Sequence, residues 1–178
     1  MRYKVSAIED QIIETIKADT TNFSGLKMIN TYAGQISAQN FLNPEYAQGF
    51  IKLLPFCLVA YQGRVGLKSD RDSSGKIYIH TLTFRIYTGA TSLRMYQDAV
   101  RNCYDMLAAL YDDLHGKVPK STPQCLSAYT TLDGTAITTS EFTALSPLYE
   151  TGGTDEKLVV NLPGIVVYQS DFNIRLVA

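Results

Sequence analysis

The run Asp70-Arg71-Asp72-Ser73-Ser74-Gly75 sets oxygen-bearing side chains at alternate positions and a glycine at the sixth, as the opening of an EF-hand calcium loop does. The twelfth position, where such a loop needs a bidentate glutamate, is Thr81, and the flanks read as strands rather than helices. A polar hairpin tip accounts for the same residues, so no metal is expected there. Of the two histidines, His80 falls inside a strand pattern and His115 in the last turn of a long helix, where a cation suits the helix dipole. Neither has a serine or cysteine at the spacing of an activated nucleophile. The sequence contains no GxSxG, P-loop or GxGxxG. No catalytic, cofactor-binding or metal-ligating residue is therefore assigned, and the chain is not expected to be an enzyme. A small α+β ligand-binding or enzymatic domain, with a site converging from separate loops, is the alternative. The three cysteines, Cys57, Cys103 and Cys125, lie far apart without CxxC spacing. That argues against a disulfide framework or zinc site and fits a reducing compartment.

Charge on the long helix is the second chemical signal. Asp98, Asp105 and Asp112 recur every seventh residue, and Arg94 and Arg101 can pair with the first two at i,i+4. Asp112 and Asp113 stand in the last turn, where negative charge opposes the macrodipole by ~0.3–1 kcal/mol each. This acidic end is expected to meet a basic partner. Twelve tyrosines and no tryptophan point mildly to interfaces, although tyrosine is also an ordinary strand residue.

The element that positions these groups is the stretch Ser92 to Gly116. Leu93, Tyr96, Val100, Cys103, Leu107, Leu110 and Leu114 step by three and four along it, and Tyr104 and Tyr111 widen the seam. The spacing predicts one core-facing helix laid on a sheet. An earlier helix is predicted from Ser6 to Ala18, with Ser6 and Glu9 at capping-box spacing and Ile8, Ile12, Ile13 and Ile16 on one face. Strands are predicted at Leu26–Tyr32, Phe56–Gln62, Ile77–Tyr87, Ala136–Leu145 and Ile165–Val177, with a short one at Leu158–Val160. Gly34 to Gly49 reads as a polar connector with a turn at Asn43–Pro44. The order α-β-β-β-α-β-β predicts an α+β fold: a mostly antiparallel sheet of about five strands covered on one side by two helices.

At 178 residues the chain is expected to form a single domain, 1–178, with loop embellishments near 63–76, 117–134 and 146–164. Its 46% hydrophobic and 19% charged content is that of a globular core-former. A net charge of −1 gives no overall pull toward nucleic acid or anionic lipid. The opening MRYKVSAIEDQII lacks a signal-peptide apolar region, and no apolar run approaches the ~20 residues of a membrane span, so a soluble intracellular chain is expected.

Three stretches together carry a resemblance: the helix IEDQIIETIKA (Ile8–Ala18), TYAGQ (Thr31–Gln35) and LLPFCLVAYQG (Leu53–Gly63). In these the chain resembles a family of small proteins encoded in Mu-like phages and prophages, similar to phage tail terminators. There a short amphipathic helix precedes a Y-x-G-Q-like turn, then a leucine–proline lead into a strand ending in an aromatic and glycine. The match covers most of the N-terminal third, and the element order extends it; the longer Lys117–Gly134 and Ser146–Gly164 segments depart from the family.

The resemblance implies a tail-terminator-like fold and a structural role in tail assembly. Such a subunit forms a ring, commonly a homohexamer, on the end of the tail tube, stops its growth and offers the docking surface for the neck. Implied partners are further copies of itself, the tube protein, the sheath where one is present, and the head–tail connector, with DNA only as passing cargo and no membrane. Implied locations are the virion tail end and, during assembly, the host cytoplasm. A stopper or baseplate component of similar fold is the nearest alternative. A ring subunit needs two complementary patches. The residues expected at subunit or tube interfaces are Arg64, Lys68, Asp70, Arg71, Asp72 and Lys76 of the hairpin tip. To these are added Asp112 and Asp113 of the helix end, and Tyr149, Glu150, Asp155, Glu156 and Lys157 of the late loop.

Overall fold

A computed structural model of the chain describes residues 5–36, 44–65, 79–92, 94–117, 149–150, 156–162 and 164–177. The elements run α1 (Val5–Ala18), β1 (Met28–Thr31), α2 (Pro44–Leu53), β2 (Phe56–Val65), β3 (Ile79–Thr91), α3 (Tyr96–Leu114), β4 (Tyr149–Glu150), β5 (Lys157–Leu162) and β6 (Ile165–Val177). The fold is α+β, as the sequence predicts, but the sheet is mixed and, among the described residues, three helices accompany it. The strand predicted at Ala136–Leu145 and most of the hairpin tip lie outside the described residues.

β3 and β6 form the spine of the sheet, paired antiparallel over their full length from Ile79↔Val177 to Thr91↔Ile165. β2 flanks β3 antiparallel, and β1 joins β2 in parallel, Met28↔Phe56 to Thr31↔Val59. On the far side β6 pairs with β4 at one end and with β5 along the other. The unpredicted helix α2 explains the parallel pair, because parallel neighbours need a crossover and β1–α2–β2 supplies it. Pro44 occupies the first helical position, where a missing amide costs nothing.

Each face of the sheet carries its own core. On one face Ile8, Ile12 and Ile16 of α1 and Cys103, Leu110 and Leu114 of α3 pack on Val59, Leu82, Phe84, Ile86, Phe172 and Ile174. On the other, Phe50 and Leu54 of the α2 segment cover Phe56, Leu58, Tyr87, Val160 and Val167. The helices therefore lie on both faces, not on one. Further along this second face Arg85 forks onto Asp171, Nε and Nη2 each donating at 2.7 Å, beside a 2.7 Å Thr83–Asn173 hydrogen bond.

Two local expectations change. The first helix is already formed at Val5, so Ser6 lies within it rather than capping it. Glu9 turns instead toward the Thr31 hydroxyl of β1. Burial raises its carboxyl above the usual range against that hydrogen bond, and Asp10 adds to the rise. The long helix begins at Tyr96, after an extended Met95 whose amide donates to the Ser92 hydroxyl at 3.2 Å. It stops where the His115 amide returns to Tyr111 O at 2.9 Å and Gly116 takes φ 74°, a left-handed turn that favours glycine.

Candidate interaction surface

The buried stripe of α3 is Ala99, Cys103, Met106, Leu107, Ala109, Leu110 and Leu114. It is rotated from the predicted seam: Val100 is only partly buried, Tyr96 is exposed, and Tyr104 and Tyr111 are 51% and 44% exposed. Small side chains explain the rotation. Fully buried Ala99 and Cys103 let the helix axis settle close to the sheet, which contacts across many atoms reward. Cys103 Sγ lies 3.7 Å from Thr88 O and 3.6 Å from Val166 O, between β3 and β6. Burial pushes its thiol up to about 12, and that of Cys57 higher still, so both act as inert small hydrophobes.

The rotation turns the tyrosines outward onto a shallow groove. It is a depression of about 380 Å³ lined by Tyr104, Leu107, Ala108, Tyr111 and Asp112 of α3 and by Glu156, just before β5. Leu107 is buried and forms the floor. The Tyr104 ring stands 5.4 Å from that of Tyr168 on β6, with the two hydroxyls 3.2 Å apart. That hydrogen bond, with burial, raises the Tyr168 phenol to about 12. Tyr111 stacks on His115 at 4.4 Å and 18°. Leu158, opposite Tyr168 in the β5–β6 register and 44% exposed, continues the apolar surface toward the sheet edge.

The sequence-predicted interface residues divide on this geometry. Asp112 and Glu156, remote in sequence, share the rim of the groove. Lys157 is exposed at the start of β5, opposite Gln169, and Arg64 is exposed near the end of β2. Tyr149 and Glu150 pair in β4 with Asn173 and Phe172. Lys68, Asp70, Arg71, Asp72, Lys76 and Asp155 lie outside the described residues.

Asp113 points away from the groove, toward Asp19 beyond α1 and Lys117, whose Nζ is 3.5 Å from its Oδ1. Burial, then the Asp19 charge, raises its carboxyl, while Asp19 is lowered chiefly by the Asn22 side chain. Asp113 is thus a contact between the ends of two helices. Ion pairs between described residues include Lys17–Glu14, Arg85–Asp171 and Lys117–Asp113, whereas the Arg94–Asp98 and Arg101–Asp105 pairs allowed by the spacing are not formed.

Tyr96, Tyr104 and Tyr111 are surface residues that sequence reasoning assigned to the core. The available signal was the alternative stripe through Ala99, Met106 and Ala109, which fits the same period with smaller groups. Among the described residues, no cluster of three metal-ligating side chains occurs, and no helix is long and apolar enough to cross a membrane. Compared with models of known families and with characterised proteins, the sequence matches none of them.

Proposed function

We propose that this chain is a structural subunit of a bacteriophage tail. In this reading it is a tail-completion protein of the terminator type, which assembles as a ring on the end of the tail tube, ends its growth and presents a docking surface to the neck. The observation that carries the reading is the tyrosine- and leucine-bearing surface along α3 and β5, on which Tyr104, Tyr111 and Leu158 are each more than 40% exposed. Large apolar groups gathered on a surface and bordered by carboxylates are the signature of a protein–protein contact. The resemblance of the N-terminal third to Mu-like phage proteins supplies the assembly in which such a contact would be used. Its partners would be its own copies, the tube and sheath, and the head–tail connector, with DNA passing through the lumen.

Electron microscopy and native mass spectrometry of the purified chain, alone and with tail tubes, test the reading. A ring of about six subunits is expected. Deleting residues 66–75 should leave folding intact and impair capping. A chain that neither forms rings nor binds tube ends would refute the proposal.

A further inference from the structure

We infer that the groove between α3 and β5 receives the 64–76 stretch of a second copy of this chain, so that successive subunits join groove to hairpin. The inference rests on the ring reading above and adds to it a specific pair of surfaces.

The groove has the chemistry of a cation receptor. Its walls are the rings of Tyr104 and Tyr111, its rim the carboxylates of Asp112 and Glu156, and its lining holds no basic group among the described residues. Aromatic faces and carboxylates attract a guanidinium or ammonium in the same sense. An apolar segment would use only the rings, and an acidic one would be repelled by the rim. Tyr104 is already held by Tyr168 and Tyr111 by His115, so little ordering is left to be done on binding. Asp105, exposed on the same helix, extends the negative field.

The 64–76 stretch carries the complementary charge, with Arg64, Lys68, Arg71 and Lys76 against Asp70 and Asp72. In sequence it connects β2 to β3, and β6 stands between β3 and β5 in the sheet. Charge also selects the symmetry. Setting groove against groove in a two-fold dimer would face Asp112 and Glu156 with their own copies, which like-charge repulsion opposes. Groove against hairpin is heterologous, the arrangement that closes into rings.

The test uses the full chain in three forms: wild type, a groove variant (Asp105→Lys with Asp112→Lys) and a stretch variant (Lys68→Glu, Arg71→Glu, Lys76→Glu). Circular dichroism and melting establish that all three fold alike. Sedimentation velocity and native mass spectrometry then read self-association. Each variant alone should associate more weakly than wild type by roughly tenfold or more. An equimolar mixture of the two should recover assembly, since each supplies the charge the other has lost. Wild-type association by either variant alone, or no recovery on mixing, overturns the pairing. A wild-type chain that stays monomeric overturns it too, while binding to tube ends decides the ring reading separately.

Discussion

Replacing Gly89 by alanine adds one methyl group at the centre of the sheet, and the structure says where it would go. Gly89 on β3 stands opposite Phe56 on β2, whose ring lies over it. A Cβ built there would sit 2.6 Å from Phe56 Cζ, 2.8 Å from Phe56 Cε1 and 2.7 Å from Leu54 Cδ2. Carbon atoms prefer about 3.5–4.0 Å, so the ring would have to retreat by roughly 1 Å. It has little room, because Phe56 and Leu54 are both 0% exposed and Phe50 packs edge-on against Phe56 at 5.5 Å. Overpacking of this kind costs about 1–3 kcal/mol. Alanine would otherwise gain about 0.5–1 kcal/mol in a strand through lower unfolded-state entropy, so the expected net loss is about 1–2 kcal/mol. For a chain of this size that lowers Tm by about 2–8 °C. Urea unfolding should show an earlier midpoint at unchanged m-value. Phe56→Leu should cost stability alone yet relieve the clash in the double variant, giving a favourable coupling of about 1 kcal/mol. Gly89→Ala melting at or above wild type, or strict additivity, would show that the ring is not confined as argued.

Three further outcomes follow from buried and half-buried polar groups. Thr88 is fully buried and its Oγ1 has no partner, so Thr88→Val should be neutral or stabilising by up to ~1.5 kcal/mol in urea titrations. Asp113 has a raised carboxyl, so the folded chain holds that proton more tightly than the unfolded one, and stability falls as pH rises from about 4 through the folded value. Asp113→Asn should therefore melt higher than wild type at pH 7, with the difference fading by about pH 3.5; a gain that persists in acid would count against the assignment. Arg85→Lys removes the second arm of the fork onto Asp171, whose hydrogen bond holds the guanidinium firmly charged. About 1–2 kcal/mol should be lost, read as an earlier urea midpoint, although the formal charge is unchanged.

Elements with only one low-energy solution were legible in the sequence. Helix α1 offers a single apolar face, Ile8, Ile12, Ile13 and Ile16, and all four residues are buried. β6 was recognisable because Phe172 and Ile174 alternate with Asn173, and the structure buries the first two. Where two principles competed, the pattern misled. Pro44 after Asn43 signals a turn, yet proline also favours the first position of a helix, and α2 followed the second rule. Without α2, neither the parallel pairing of β1 nor the second core could be inferred. Four residues, Met28–Thr31, carry no mark of strand direction, which follows from the crossover.

For the groove, the obstacle was rotation about one helix axis. Two stripes satisfy the same period along α3 and share Cys103, Leu107, Leu110 and Leu114, one widened by the tyrosines Tyr96, Tyr104 and Tyr111, the other by Ala99, Met106 and Ala109. Hydrophobic area favours burying the larger rings. Close packing of the helix on β3 and β6 favours the smaller groups, and tyrosine offsets the difference by keeping its hydroxyl paired at the surface, as Tyr104 does with Tyr168. Packing wins, and the consequence reaches the surface. The same turn of the helix that brings Cys103 within reach of two strand carbonyls carries Tyr104 and Tyr111 out beside Asp112. The acidic helix end that the sequence marked as unmatched thereby acquires aromatic walls, and Glu156 completes its rim from the far side. Asp113, one residue on, is directed toward Asp19 instead, so adjacent carboxylates of the same apparent signal occupy two settings: one is half-buried between two helix ends and the other lines the groove.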